Sequence, residues 1–235
     1  MSFAKERLLP AFIVALGLAA AGFFVGGGMV RFKRMDQSIE VRGLAERLVD
    51  SNEASLNLEF GLSSNDVGEL NRKIQTAQTK LLEFLKASGL EEGELQKAPV
   101  RISDKLAQEY GGETRGDRFT ARGGFLVSSG RVDVVTQLSQ RTDELLKQGV
   151  VLTSSQLNYY FTDLNAIKPA MLEEATKNAL EAANGFAGSM GAKVGKIRRA
   201  SQGVFSLASP YSDYESNNSF KKKVRVVTQV EFLID

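Results

Sequence analysis

The chain of 235 residues contains no cysteine, no histidine and no tryptophan. Without cysteine it forms no disulfide and offers no thiol nucleophile, which suits either side of a bacterial membrane. Without histidine it lacks the commonest general base, the commonest zinc ligand and every Ser-His-Asp or Cys-His nucleophile. Carboxylates remain, but no two of them stand at a spacing that indicates an acid–base pair. The sequence therefore predicts a protein that is not an enzyme and that uses no metal and no cofactor.

An uncharged segment of 23 residues runs from Leu8 to Val30. As a helix it would be about 35 Å long, enough to cross a hydrocarbon core of about 30 Å. A cleaved signal peptide is the alternative, because Ala19 and Ala21 form an A-x-A pattern and a cut after Gly28 also follows small residues. A core helix of a soluble protein is disfavoured, since the glycines at 26–28 would weaken a helix in water. We expect an uncleaved, single-pass anchor over residues 1–36.

Small residues form a stripe along this segment that is typical of helix–helix contact in lipid. The stripe consists of Gly17, Ala21, Gly22 and Gly26. Basic residues flank the segment, with Lys5 and Arg7 before it and Arg31, Lys33 and Arg34 after it. Because these flanks nearly balance, the positive-inside rule leaves the membrane orientation open.

Residues 37–235 carry 25 basic and 26 acidic side chains, so their overall charge indicates no nucleic-acid partner. This length is enough for one domain with a sizeable core or for two small intertwined lobes. Two local basic stretches stand out within it. They are Lys193, Lys196, Arg198 and Arg199, and Lys221, Lys222 and Lys223. If their strands pair, the stretches form a patch for anionic lipid or an acidic partner; protection of strand edges by lysine is the alternative.

Hydrophobic periodicity predicts mixed strands and helices. Period-two alternation indicates strands at 39–43, 54–62, 98–110, 117–129, 150–163, 193–205 and 221–235, with turns at 46–52 and 90–96. Helical spacing indicates three helices, at about 66–88, 131–148 and 169–190, each followed by a glycine. Alanine recurs along the third helix, which predicts close packing on a sheet. The order predicts an α+β domain over residues 37–235, with a largely antiparallel sheet and about three helices packed on it.

Five segments of the chain form a recognisable set: "IEVRG", the "SGL" that ends the first helix, "FTARGGFLV", "FTDLNAIKPAMLEEATKNALEAANGFAGSMGAKVGKI" and "VRVVTQVEF". In their order and spacing they resemble the SIMPL domain family, long described as a bacterial domain of unknown function. The resemblance covers about residues 38–235, and the fourth segment is its most specific part. One departure is "LVDSNEA", which keeps Asp50 but lacks the proline that often precedes it in the family.

The resemblance implies an envelope location, usually periplasmic, homo-oligomerisation and a loose link to oxidative-stress tolerance. It implies no catalytic residue. It also favours an anchor with its N-terminus inside, which places the domain on the periplasmic side of the bacterial inner membrane. We therefore expect a membrane-anchored protein that acts by self-assembly, with itself and the lipid bilayer as partners. The alternative is a periplasmic module that binds a small ligand or an envelope polymer in a groove between helix and sheet.

Overall fold

The computed structural model describes residues 17, 21, 22, 37–107, 116–212, 214 and 216–234. From residue 37 onward, the described residues form eight strands and four α-helices. In chain order these are β1 (Ser38–Asp50), β2 (Glu53–Ser64), α1 (Val67–Ala87), β3 (Leu95–Asp104), β4 (Phe119–Ser129), α2 (Val132–Gln140), α3 (Asp143–Lys147), β5 (Leu152–Tyr160), α4 (Leu164–Ser189), β6 (Val194–Gln202), β7 (Ser206–Ala208) and β8 (Lys221–Ile234).

The strands form two sheets of four. In sheet A the order is β1-β8-β6, with β7 paired to β8, and in sheet B it is β3-β4-β2-β5. The pairs of sheet B and the β6–β8 pair are all antiparallel. The predicted α+β class with largely antiparallel sheets is thus confirmed, although the described residues from 37 onward form four helices where about three were expected.

Two compact units divide the chain, and each is assembled from separate segments. Unit 1 comprises the described parts of Met1–Glu46, Pro169–Phe205 and Arg225–Asp235. Unit 2 comprises those of Arg47–Lys168 and Ser206–Val224. Sheet B with α1, α2 and α3 belongs to unit 2, and most of α4 with β6 belongs to unit 1.

The core of unit 2 follows from the period-two pattern of β2. Leu56, Leu58 and Phe60 are fully buried and pack with α1, whose apolar residues recur at helical spacing. The Asp66 carboxylate caps α1 by accepting a hydrogen bond from the Glu69 backbone N–H at 2.6 Å. The helix is followed by Gly89 at φ +83°, a conformation that favours glycine. Both ends of this helix confirm the sequence prediction.

Several element boundaries differ from the prediction; for example, β3 begins at Leu95, inside the turn expected at 90–96, and residues 105–107 form a 3₁₀ turn where the strand was expected to continue. The turn expected at 46–52 is only two residues long, because β1 continues to Asp50 although its apolar alternation has stopped and Leu48 is exposed. The helix expected at 131–148 is two helices, α2 and α3, with a break after Gln140 that no glycine or proline marks. Helix α4 begins at Leu164, so Pro169 lies in its second turn instead of its first.

In unit 1, helix α4 lies very close to sheet A. Its buried residues are spaced four apart, and all but the first are alanine: Met171, Ala175, Ala179, Ala183 and Ala187. A Cβ added to Gly43 of β1 would collide with the backbone of Ala175 and Ala179. Helix and strand therefore meet backbone to backbone, which confirms the close packing that the alanine run predicts.

We expect Gly43→Ala to destabilise the protein by at least about 2 kcal/mol, because its methyl group meets rigid backbone that no rotamer change relieves. The same change at Gly185, inside α4 and with open space around its Cβ position, should stabilise by about 0.5–1 kcal/mol, since alanine is the better helix former. Urea unfolding of the full chain measures both. Equal effects of the two substitutions would contradict the backbone contact at Gly43.

Candidate functional site

Strand β6 is the least protected strand of the described chain. It is the last strand of sheet A and pairs only with β8. Its first two residues are half-buried, but all seven residues from Lys196 to Gln202 are exposed, the longest exposed run in any described strand. Because side chains alternate between the two faces of a strand, both faces of β6 lie open along this run.

The core of unit 1 explains this exposure. Its buried apolar cluster joins Ala179 and Ala183 of α4 to Val41 of β1 and to Val230 and Phe232 of β8. From β6 only Val194, at the very start of the strand, packs against that cluster. Helix α4 therefore covers β1 and β8, and the rest of β6 projects beyond it.

The exposed part of β6 combines apolar and basic side chains. Ile197 is 52% exposed, and Val204, just after the strand, is 90% exposed. The pairing of β6 with β8 shifts register on both sides of Ile197, as in a β-bulge. An edge strand offers unpaired backbone groups to another chain, while bulges and cations limit unspecific pairing. The backbone groups of this edge can therefore pair with another strand, while its bulge and its basic side chains disfavour unspecific pairing.

A polar network joins β6 to the face of sheet A that points away from α4. Arg198 forms an ion pair with Glu231 at 3.3 Å, and the Ser38 hydroxyl donates to the same carboxylate. Gln229 donates a hydrogen bond to Glu40. A shallow cavity of about 280 Å³ lies along this network. These contacts hold side chains of β1, β6 and β8 against one another on the face of sheet A that points away from α4.

The pairing of β6 with β8 does not set the two predicted basic stretches opposite each other. Val194 lies opposite Ile234 and Gln202 opposite Thr228, so β6 pairs with the C-terminal part of β8. Residues 221–223 begin that same strand and precede the paired part. Their side chains are also engaged, since Lys221 pairs with Asp50 at 3.0 Å and the buried Lys222 donates to the Ser216 carbonyl at 2.6 Å. Only the stretch 193–199 remains as a basic surface beside the β6 edge.

Most of the predicted membrane segment lies outside the described residues. Gly17, Ala21 and Gly22 are helical and exposed. Gly26 and the flanking Lys5, Arg7, Arg31, Lys33 and Arg34 lie outside the described part. Among the residues that the structure describes, no helix is both long and apolar enough to cross a membrane. The anchor and its packing stripe stay predictions.

A groove between helix and sheet, as the binding alternative expects, is present in unit 2. It has a volume of about 500 Å³ and lies between α1 and the end of β2. Two of its lysines are engaged: Lys73 donates to the Ser63 carbonyl at 3.2 Å and pairs with Glu69 at 2.9 Å, and Lys80 donates to the Gln148 carbonyl at 2.5 Å. These bonds hold the walls of the groove together.

Ion pairs cause the clear pKa shifts in unit 2. The Arg131 guanidinium, which hydrogen-bonds to Glu94, lowers the pKa of that carboxyl to about 2, and the Ser129 hydroxyl adds to the effect. Arg118 lowers the pKa of Asp104 in the same way. Each shift favours the charged form, as expected for structural ion pairs.

The comparison with protein families is decisive for the classification of the chain. The profile of the SIMPL family, described as a protein of unknown function (DUF541), matches residues 39–232. The chain belongs to the SIMPL family. This confirms the resemblance found in the sequence motifs. No curated protein matches the chain significantly.

Solved structures similar to this SIMPL protein include three from Listeria innocua. A hydrolase is 12% identical, and the alignment covers 81% of this chain and 91% of that one, with a TM-score of 0.24. A second hydrolase is 11% identical with the same coverage and TM-score. An uncharacterised conserved protein is 13% identical over 77% of this chain and 90% of that one, again with a TM-score of 0.24. At such scores these likenesses carry no argument about activity.

We expect the Glu94–Arg131 ion pair to make stability depend on pH. The folded pKa of Glu94 lies below its ordinary value of 4.5, so its contribution is fully present above about pH 4.5 and is lost as the pH falls toward 2. Glu94→Gln should lower the unfolding midpoint by about 3 °C at pH 7 and by almost nothing near pH 2. Thermal unfolding of the full chain between pH 2 and 7 measures this.

Glu92→Gln is the matched control, because Glu92 lies in the same turn and forms no ion pair within the described structure. It should leave both the midpoint and its pH dependence unchanged. A difference between Glu94→Gln and the wild type that stays constant from pH 7 to pH 2 would refute the assignment.

Proposed function

We propose that this SIMPL protein is a non-enzymatic envelope protein that works by self-assembly. Residues 1–36 anchor it as a single span in the bacterial inner membrane, and the domain lies on the periplasmic side. The observation that carries the assembly is the open edge of β6, exposed on both faces over seven residues. Anchor, orientation and the link to stress tolerance rest on the sequence segment and on the family resemblance.

The energetics of β6 favour a partner strand. In one chain the strand has a single ladder of hydrogen bonds and buries little apolar area beyond Val194. Pairing with a second chain would add a second ladder and cover Ile197, and burial of an aliphatic side chain contributes about 1.5–3 kcal/mol. The contact therefore stabilises both the strand and the assembly.

Charge argues for a head-to-tail contact between copies. The exposed run of β6 carries Lys196, Arg198 and Arg199 and no acidic residue. If two β6 strands paired with each other, these cations would lie beside the same cations of the other copy, and the repulsion between like charges would destabilise the pair. Strand β1 forms the opposite edge of sheet A, and within unit 1 its two acidic residues, Glu40 and Glu46, outnumber its one basic residue, Arg42. Pairing β6 of one copy with β1 of the next continues the sheet, and such heterologous contacts form rings when they close.

Membrane tethering strengthens the same contact. Anchored neighbours share a small volume, so a weak contact in solution becomes effective at the membrane. Close packing of the small-residue stripe of Gly17, Ala21, Gly22 and Gly26 would add to it. A modest edge contact is therefore sufficient for assembly.

Binding of a ligand in the groove of unit 2 is the weaker function. Lys73 and Lys80 already donate to the backbone carbonyls of Ser63 and Gln148. These bonds and the Lys73–Glu69 ion pair take up part of the donor capacity of the two ammonium groups, so less of it is left for a ligand. Assembly through β6 depends on neither lysine.

The mass of the detergent-solubilised full chain tests the proposal. We expect the wild type at micromolar concentration to have a protein mass several times the 25.6 kDa of one chain. Ile197→Asp should reduce it to that of a single chain, because the change removes the apolar contact and adds an anion to a strand that is proposed to pair beside Glu40 and Glu46 of β1. Light scattering with subtraction of the detergent gives the protein mass.

Ile102→Asp is the matched control. Ile102 is 55% exposed on β3, an edge strand of sheet B, so the same chemical change is made at a comparable strand position. This variant should keep the wild-type mass. A monomeric wild type, or dissociation by Ile102→Asp but not by Ile197→Asp, would overturn the assignment of the assembly to β6.

A further inference from the structure

Two arginines stand directly opposite each other on the face of sheet B that points away from α1. Arg101 of β3 and Arg122 of β4 are register partners, and both side chains are exposed. Like charges at directly opposed positions destabilise a sheet. The nearest carboxylate, Glu59, approaches Arg122 only to 3.9 Å. Within the part of the chain that the structure describes, Arg101 has no ion pair at all.

A cavity of about 310 Å³ lies beside this pair. Its wall includes Asn57 and Glu59 from β2, Pro99 from β3 and the two arginines. Its floor is Gly124, where an added Cβ would collide with the carbonyl oxygen of Leu58. Because no side chain fits at Gly124, the sheet has a permanent depression there. Its volume suits a small molecule and not a polymer segment with a large contact area.

We propose that this depression, the arginine pit, is a binding site for a small oxyanion that carries a carboxylate or phosphate group. Two guanidinium groups against one carboxylate leave the pit net positive. The planar fork of arginine matches the paired oxygens of both groups, and the Asn57 amide adds a neutral donor. A bound anion turns the repulsion between Arg101 and Arg122 into attraction toward a shared partner. The site is independent of the β6 edge.

The test is calorimetric titration of the full chain in detergent with inorganic phosphate and, separately, with succinate. We expect saturable binding of at least one of them, and the stronger of the two identifies the group that the pit prefers. Arg101→Gln and Arg122→Gln should each weaken that binding at least tenfold, about 1.4 kcal/mol. Arg122→Lys keeps the charge but loses the fork, so it should weaken binding less than Arg122→Gln.

Arg42→Gln is the matched control, because Arg42 is an exposed strand arginine of sheet A and its loss should leave binding unchanged. Unfolding in low salt without either anion shows that the variants fold, and Arg101→Gln should then be at least as stable as the wild type, since repulsion is removed. Absence of binding by both anions would overturn the proposal. Equal weakening by Arg42→Gln and Arg101→Gln would also overturn it, because general charge would then explain the binding.

Discussion

The backbone contact between α4 and β1 at Gly43 sets the architecture of unit 1. The alanines of α4 let the helix approach until a Cβ on Gly43 has no space. Asn178 adds a hydrogen bond from its side-chain amide to the Leu44 carbonyl at 2.7 Å, which holds the helix in this position. A helix fixed in this way shelters the inner faces of β1 and β8 but not β6. The open edge on which the proposed assembly depends thus follows from small side chains elsewhere in the unit.

Local signals in the sequence were sufficient for much of the fold. Helix α1 could be predicted with both ends, because Asp66 caps it and Gly89 follows it with a positive φ. Strand β8 could be predicted because its apolar residues recur at every second position, and in the structure buried and half-buried residues alternate over almost its whole length. The alanine run of α4 predicted close packing. These features depend on the side chains of the segment itself, so a single sequence is enough to find them.

Features that depend on pairing between distant segments could not be predicted. Strand β1 continues past the end of its apolar pattern, where its side chains are no longer buried, and β8 is its neighbour in sheet A. A patch shared by the two basic stretches was one of two interpretations of the sequence, and the register, which sets residues 194–202 against residues 228–234, does not place them opposite each other. The opposition of Arg101 and Arg122 is also a matter of register. Periodicity shows which face a residue occupies but not which residue stands opposite.

The two proposed sites assign different roles to the two units. Unit 1 offers backbone hydrogen-bonding groups along β6, flanked by cations, which suits another copy of the same chain. Unit 2 offers two guanidinium groups above a glycine floor, which suits a small anion. Neither role requires a histidine, a cysteine or a metal. Both proposed roles consist of binding, of a second copy of the chain in unit 1 and of a small anion in unit 2, so neither depends on the usual catalytic residue types.

Hydrogen exchange along β6 tests the central claim most directly. In a single chain, alternate amides of residues 199–202, where the pairing with β8 is regular, point away from β8 and should exchange rapidly, whereas a partner strand would protect them. If β6 pairs with another copy, consecutive amides of the strand should be protected in the detergent-solubilised full chain at micromolar concentration. After dilution to the monomer, every second amide should lose its protection. Rapid exchange of alternate β6 amides under conditions where the protein has a multiple of the single-chain mass would contradict it.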